Sequence, residues 1–155
     1  QRVLEIARER KRKYDRLNIC CTAAQISIDM GLLEQAEEYL HESFSNAEIL
    51  EKTITYHVFV IMEWARLSLK KGKVKEAKSH LFQAIILAEE NDQLAELSQC
   101  YERLVHIYEQ EGLEEKALSY SKEFEYFKKE VEKKLEKNRL AIQTAIVESE
   151  NQIKE

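Results

Sequence analysis

Met30-Gly31-Leu32-Leu33-Glu34-Gln35-Ala36, Lys71-Gly72-Lys73-Val74-Lys75-Glu76-Ala77 and Glu111-Gly112-Leu113-Glu114-Glu115-Lys116-Ala117 are three copies of one phrase. In each, a Leu or Val follows the glycine within two residues and an Ala stands five residues on. These are the only three glycines in 155 residues, the chain has no proline, and successive copies lie 41 and 40 residues apart. A fixed period of this order marks a solenoid, in which one unit cannot bury its own apolar face and stacks on its neighbours.

Helical patterns flank every copy. Ahead of the glycines stand Leu17, Cys20, Ala24 and Ile28, then Ile61, Trp64, Ala65 and Leu69, then Tyr101, Leu104, Val105 and Tyr108. Behind the first two stand Ala36, Leu40, Phe44 and Ala47, then Ala77, Leu81, Ile85 and Ala88. Steps of three and four place each set on one helix face. A glycine just past a helix end supplies the left-handed residue that closes it, and the small Ala lets two helices approach. Each unit is a helix–turn–helix hairpin. The spacing predicts helices near 1–10, 15–30, 33–50, 54–70, 74–90 and 93–111, with a last one from 113.

Composition narrows the class. The length suits one domain burying roughly 70% of its unfolded-chain surface. A hydrophobic share of 44% with seven Tyr, five Phe and one Trp is too rich for disorder. No apolar run approaches the ~20 residues of a membrane span, and no signal-peptide pattern opens the chain. Cys20, Cys21 and Cys100 form no C-x-x-C pair and read as small buried residues in a reducing compartment, so the chain is expected to be cytoplasmic.

The repeats resemble the tetratricopeptide (TPR) family. Its pattern of small residue, Gly, Ala and large apolar residue is met by Ala24, Gly31, Ala36 and Leu40, and again by Ala65, Gly72, Ala77 and Leu81. The third copy carries Val105, Gly112 and Ala117 but Ser121 in the last place; the family's later Ala is Ser43, Ala84 and Phe124 in the three copies. The resemblance implies an all-α right-handed superhelix of hairpins. The array is expected over 1–130: a partial repeat 1–14, then repeats of about 15–51, 54–91 and 95–130. Six or seven residues beyond the family's usual period add about one turn per helix. Leu4 and Ala7 align with Phe44 and Ala47, so the chain is expected to begin inside the second helix of an earlier repeat.

From Leu113 onward no Gly or Pro interrupts the chain. Its apolar residues Tyr120, Phe124, Val131, Leu135, Ile142, Ile146 and Ile153 are spaced 4, 7, 4, 7, 4 and 7, an eleven-residue repeat that keeps one nearly straight stripe. Residues 131–155 are expected to continue the last helix as a signalling or dimerisation element. Val131, Leu135, Ile142, Ile146 and Ile153 would form the stripe of a homodimer, with fold-back onto the array as the alternative. Ala117-Leu118-Ser119-Tyr120 opening such a helix resembles bacterial signalling proteins in which a TPR sensory region precedes a diguanylate cyclase (GGDEF), histidine kinase or DNA-binding domain.

Enzymatic signals are nearly absent. His41, His57, His80 and His106 have no His or Cys at ligand spacing, and no H-E-x-x-H, G-x-S-x-G, Walker or dinucleotide-binding pattern occurs. No cofactor or metal is expected, and the segment reads as non-catalytic. The basic run within 8–13 belongs to a stretch, 1–16, with seven basic and three acidic side chains, net +4; the remainder holds 17 against 26, net −9. With only Tyr14 nearby, this is a solvated inter-helix turn before it is a nucleic-acid site.

The TPR resemblance implies a concave groove lined by first helices. Carried over position by position it comprises Cys21, Gln25 and Ile28; Phe59, Met62, Glu63 and Arg66; and Gln99, Glu102, Arg103 and His106. Phe59 and Met62 would offer apolar contact. The clamp with which one subfamily grips chaperone C-termini, Lys-Asn-Asn-Lys-Arg, is here Cys21, Gln25, Glu63, Gln99 and Arg103, so only the Arg is kept. The reading is a protein–protein interaction or sensory module for a peptide or protein partner, relaying to an output domain beyond Glu155. Its alternatives are a structural dimerisation stalk or the regulatory part of a longer cyclase or kinase.

Overall fold

A computed structural model of the chain describes residues 1–49 and 54–154; the link at 50–53, the side chains of 46–56 and Glu155 lie outside the described residues. Among the described residues every regular element is an α-helix: α1 Arg2–Asp29, α2 Leu33–Ile49, α3 Ile54–Lys70, α4 Val74–Glu90, α5 Leu94–Gln110 and α6 Glu114–Lys154. Consecutive helices pack against one another throughout, and α3 also touches both α1 and α5. The hairpins α1/α2, α3/α4 and α5/α6 are thus stacked in chain order, with α1, α3 and α5 side by side. Among the described residues no helix is long and apolar enough to cross a membrane.

The glycine turns share one geometry. Gly31, Gly72 and Gly112 have φ of 75°, 76° and 73°. Gly72 N–H donates to Leu69 O (3.0 Å) and Lys73 N–H to Ser68 O (2.8 Å), and the pairs at Gly31 and Gly112 repeat it. These are the two bonds of a Schellman cap, which satisfies carbonyls the helix end would leave open. The α4–α5 link uses the same device without glycine: Asp92 takes φ 53°, and Gln93 N–H donates to Ala88 O (2.9 Å). Asp tolerates the left-handed region because its short side chain can hydrogen-bond locally.

Two apolar clusters join the hairpins. One holds Leu17, Cys21, Ala24, Ile28, Ala36, Leu40, Val60 and Leu67 across α1–α3. The other runs from Val58, Met62 and Ala65 through Leu81, Ala84, Ile85 and Ala88 to Leu97, Cys100, Leu104 and Ala117. Ala24, Ala36, Ala77, Ala84 and Ala88 are all fully buried, as close helix approach requires. Ser43 stands at a comparable small-residue position, and its hydroxyl donates to Tyr39 O (2.8 Å), so no buried donor is orphaned. Aromatic rings fasten α6 to α5: Tyr101–Phe127 centroids lie 5.5 Å apart and Tyr108–Tyr120 5.3 Å, both nearly parallel.

Five expected helices match the observed ones to within a residue or so, and the first two do not. Helices near 1–10 and 15–30 are one element, α1, so the expected turn between them is replaced by continuous helix. Residues 8–16 are mostly Arg, Lys and Glu, good helix formers with no Gly or Pro to stop them. The basic run is therefore an exposed helical face, where Lys13 pairs with Glu9 at 3.1 Å.

A Cβ at Gly72 would meet nothing within 4 Å, so its requirement is purely one of backbone hand. Gly72→Ala is expected to destabilise the fold by about 1 kcal/mol, and Gly72→Asn by less. Urea titration would show a lowered midpoint at constant slope; an unchanged midpoint would refute the role given to this turn.

Candidate functional site

Along the α1–α3–α5 side the sequence places Gln25 and Asp29 one turn apart on α1, Glu63 and Arg66 on α3, and Arg103 on α5. The structure joins them into one polar network. Glu63 is 3% exposed; Arg66 Nη1 donates to its Oε2 at 3.1 Å, and Gln25 also hydrogen-bonds it. Arg66 Nη2 reaches back to Asp29 Oδ1, tying α3 to α1. Arg103 Nη1 donates to Met62 O at 3.0 Å, tying α5 to α3, and its charge acts on Glu63. Burial nevertheless dominates and holds the Glu63 carboxyl above its ordinary range, with Arg103 and Gln25 pulling the other way. Desolvation also lowers Arg66, helped by the like charge of Arg103.

Not all the expected groove residues reach a surface. Cys21, Ile28 and Met62 are buried in the two cores, so the contact expected of Met62 is corrected to internal packing between α3 and its neighbours. Phe59 packs half-buried against the α1–α3 cluster. Gln99, Glu102 and His106 are exposed on α5, and His106 Nδ1 lies 3.8 Å from Glu109 Oε2. Asp29, which sequence reading passed over, belongs with the network; its signal was the four-residue step from Gln25.

A cleft of about 670 Å³ lies between α2, α3 and α4. Ile61, Trp64 and Leu67 contribute its apolar lining, and Glu37, Lys71, Lys73 and Glu76 its charged one. The single Trp stands between two imidazoles: His41 meets it edge-on at 4.8 Å between ring centroids, and His80 lies 6.3 Å away. Lys71 pairs with Glu37 across α2 and α3, which holds that carboxyl below its ordinary range. The sequence hid this cleft because Trp64 shares a helical stripe with core residues. Burial pushes the Cys20 thiol to about 11 and the Cys100 thiol to about 12, so neither is an activated thiolate.

The expected dimer stripe divides in two. Val131 is half-buried midway along α6, whereas Leu135, Ile142, Ile146 and Ile153 are 63%, 63%, 53% and 82% exposed. Fold-back of this part onto the array is not seen; α6 continues as one helix to Lys154. Comparison with family models, with curated proteins and with solved structures found no match for this chain.

Because the Glu63 carboxyl is raised in the folded state, that state keeps its proton to higher pH than the unfolded chain does. Stability from this group therefore falls as pH rises from the ordinary carboxylate range through the raised value. Glu63→Gln is expected to remove that fall, so the variant gains on the wild type as pH increases across this window. Paired urea titrations over pH would check it; a wild type that gains on the variant would show that Arg66 and Arg103 outweigh burial.

Proposed function

We propose that this chain is a non-catalytic recognition module of the TPR type, whose α1–α3–α5 face receives a peptide or helix carrying an acidic group beside apolar side chains. The observation that carries this reading is the state of Arg103. Among the described residues its guanidinium, half-buried on that face, makes one hydrogen bond, to Met62 O, out of the five N–H groups it owns. Arg66, by contrast, is taken up by Glu63 and Asp29. Phe59 on the same face supplies apolar surface, and exposed Gln99 and Glu102 supply polar rim. An acidic ligand group would meet Arg103 as a charge-assisted pair.

The buried network supports specificity more than stability. A desolvated carboxylate with two guanidiniums nearby is weaker in stabilising terms than apolar residues of the same volume. It fixes how α1, α3 and α5 sit relative to one another, so a ligand drawing on Arg103 acts on the packing of all three. Since α5 is the helix against which α6 lies, the same binding event bears on α6. In this reading the chain serves signal transduction as a scaffold or sensor, and any output lies in whatever is attached to α6.

Panning a random peptide library against the chain is expected to enrich sequences combining acidic and apolar residues. Arg103→Glu should weaken the selected peptides about tenfold or more, the scale of one lost charged hydrogen bond. Phe59→Ala should weaken them too, while Lys75→Glu, on exposed α4 surface, should not. Binders indifferent to both Arg103 and Phe59 would overturn the assignment of this face.

A further inference from the structure

The exposed half of α6 is self-complementary. Leu135, Ile142, Ile146 and Ile153 are separated by 7, 4 and 7 residues, a spacing that reads the same from either end. At 3.6 residues per turn all four fall on one narrow face. It is the same face that, lower on α6, carries Phe124 and Val131, so it continues the surface that packs against α5. We propose that this face is covered by the same face of a second copy of the chain, running antiparallel. Leu135 then opposes Ile153 of the second copy, and Ile142 opposes its Ile146.

Charge selects the antiparallel sense. Residues 133–139 carry Lys133, Lys134, Lys137 and Arg139 against Glu136, whereas 148–150 carry Glu148 and Glu150. On the helical wheel Arg139 and Glu150 share one flank of the stripe, as do Glu136 and Lys154. In the antiparallel register set by the apolar residues, Arg139 comes level with Glu150 of the second copy and Glu136 with its Lys154. Each pair occurs twice by symmetry. A parallel arrangement would instead set Arg139 against Arg139 beside the apolar seam and stack the basic segments on each other. That opposition is unfavourable at the low dielectric of a buried edge.

The middle of α6 supplies a further fit. There the α4–α5 turn and the start of α5 leave a notch of about 330 Å³ against α6, lined by residues including Asp92, Leu94, Glu96, Val131 and Leu135. The register that pairs Leu135 with Ile153 brings the most exposed residue of the stripe to the mouth of this notch. The second copy's α6 thereby takes up the line of α5 where α5 begins. This proposal does not depend on the α1–α3–α5 face.

Cysteine cross-linking in the full chain tests the arrangement. Leu135→Cys mixed with Ile153→Cys is expected to yield a disulfide-linked dimer under mild oxidation. Leu135→Cys alone should not, because its two copies would lie about 27 Å apart along the axis, 18 residues at 1.5 Å each. Sedimentation over a concentration series should show a monomer–dimer equilibrium for the wild type. Ile142→Glu with Ile146→Glu should weaken it a hundredfold or more, with the thermal transition of the array unchanged. Rapid cross-linking of Leu135→Cys by itself would indicate parallel helices and overturn the proposal, as would a wild type that stays monomeric throughout the series.

Discussion

A single residue in the left-handed conformation after a helix end turns the chain back upon itself in each described link of this molecule. At Gly31, Gly72 and Gly112 that residue has no side chain; at Asp92 it has one that tolerates the geometry. The consequence is fixed by chain length rather than by long-range pairing. In α3/α4 a helix of seventeen residues, a Schellman cap and a return helix of the same length form a hairpin whose two apolar stripes meet, and α1/α2 and α5/α6 vary it with one longer helix each. The hairpin still leaves one apolar side open, and only the next hairpin can cover it. That is why alanines at Ala24, Ala65, Ala77, Ala84 and Ala88 are buried to the last few per cent: they set the distance at which successive helices stack.

Within that frame the polar network around Glu63 is a local conflict that the fold tolerates. An apolar residue at this position would pack without desolvating a charge, and the raised pKa of Glu63 records the cost of the carboxylate. What the network adds is direction. Arg66 reaches α1 through Asp29, and Arg103 reaches α3 through Met62 O. Three helices that would otherwise slide on an apolar interface are pinned by geometry-dependent bonds. On the opposite side Lys71–Glu37 pins α3 to α2, and Lys78 with Glu111 pins α4 to the α5–α6 turn at 2.8 Å.

The hairpins were readable in the sequence because glycine is rare here and only glycine or its few substitutes can occupy the turn. The α4–α5 turn was placed by periodicity alone, since Asp92 does not announce a left-handed residue among so many acidic ones. The unbroken α1 escaped notice for the opposite reason: repeat alignment argued for a turn near residue 12, while the residues there have no means of making one. Glu63 and Trp64 changed places: Glu63 was expected to line a groove, and Trp64 to lie on the apolar stripe of its helix. The first is buried, and the second lines a cleft, because the neighbouring hairpin, invisible to local pattern, decides which face is covered.

The long α6 poses the question of how an array that ends can still pass strain onward. Its lower half is held to α5 by Tyr101, Tyr108, Tyr120 and Phe127, a stack of rings that moves as a block if α5 shifts. A helix transmits such a shift along its axis but loses lateral precision with length unless something braces it. In the proposed antiparallel dimer a second copy would brace α6 at its far end, against the α4–α5 turn of the other chain. Residue 154 of each chain then sits beside the array of its partner rather than its own. A displacement of α5 in one chain would then be delivered to Lys154 of the opposite chain as well as along its own α6. In that geometry, a ligand of the proposed kind on one α1–α3–α5 face would be felt in both long helices.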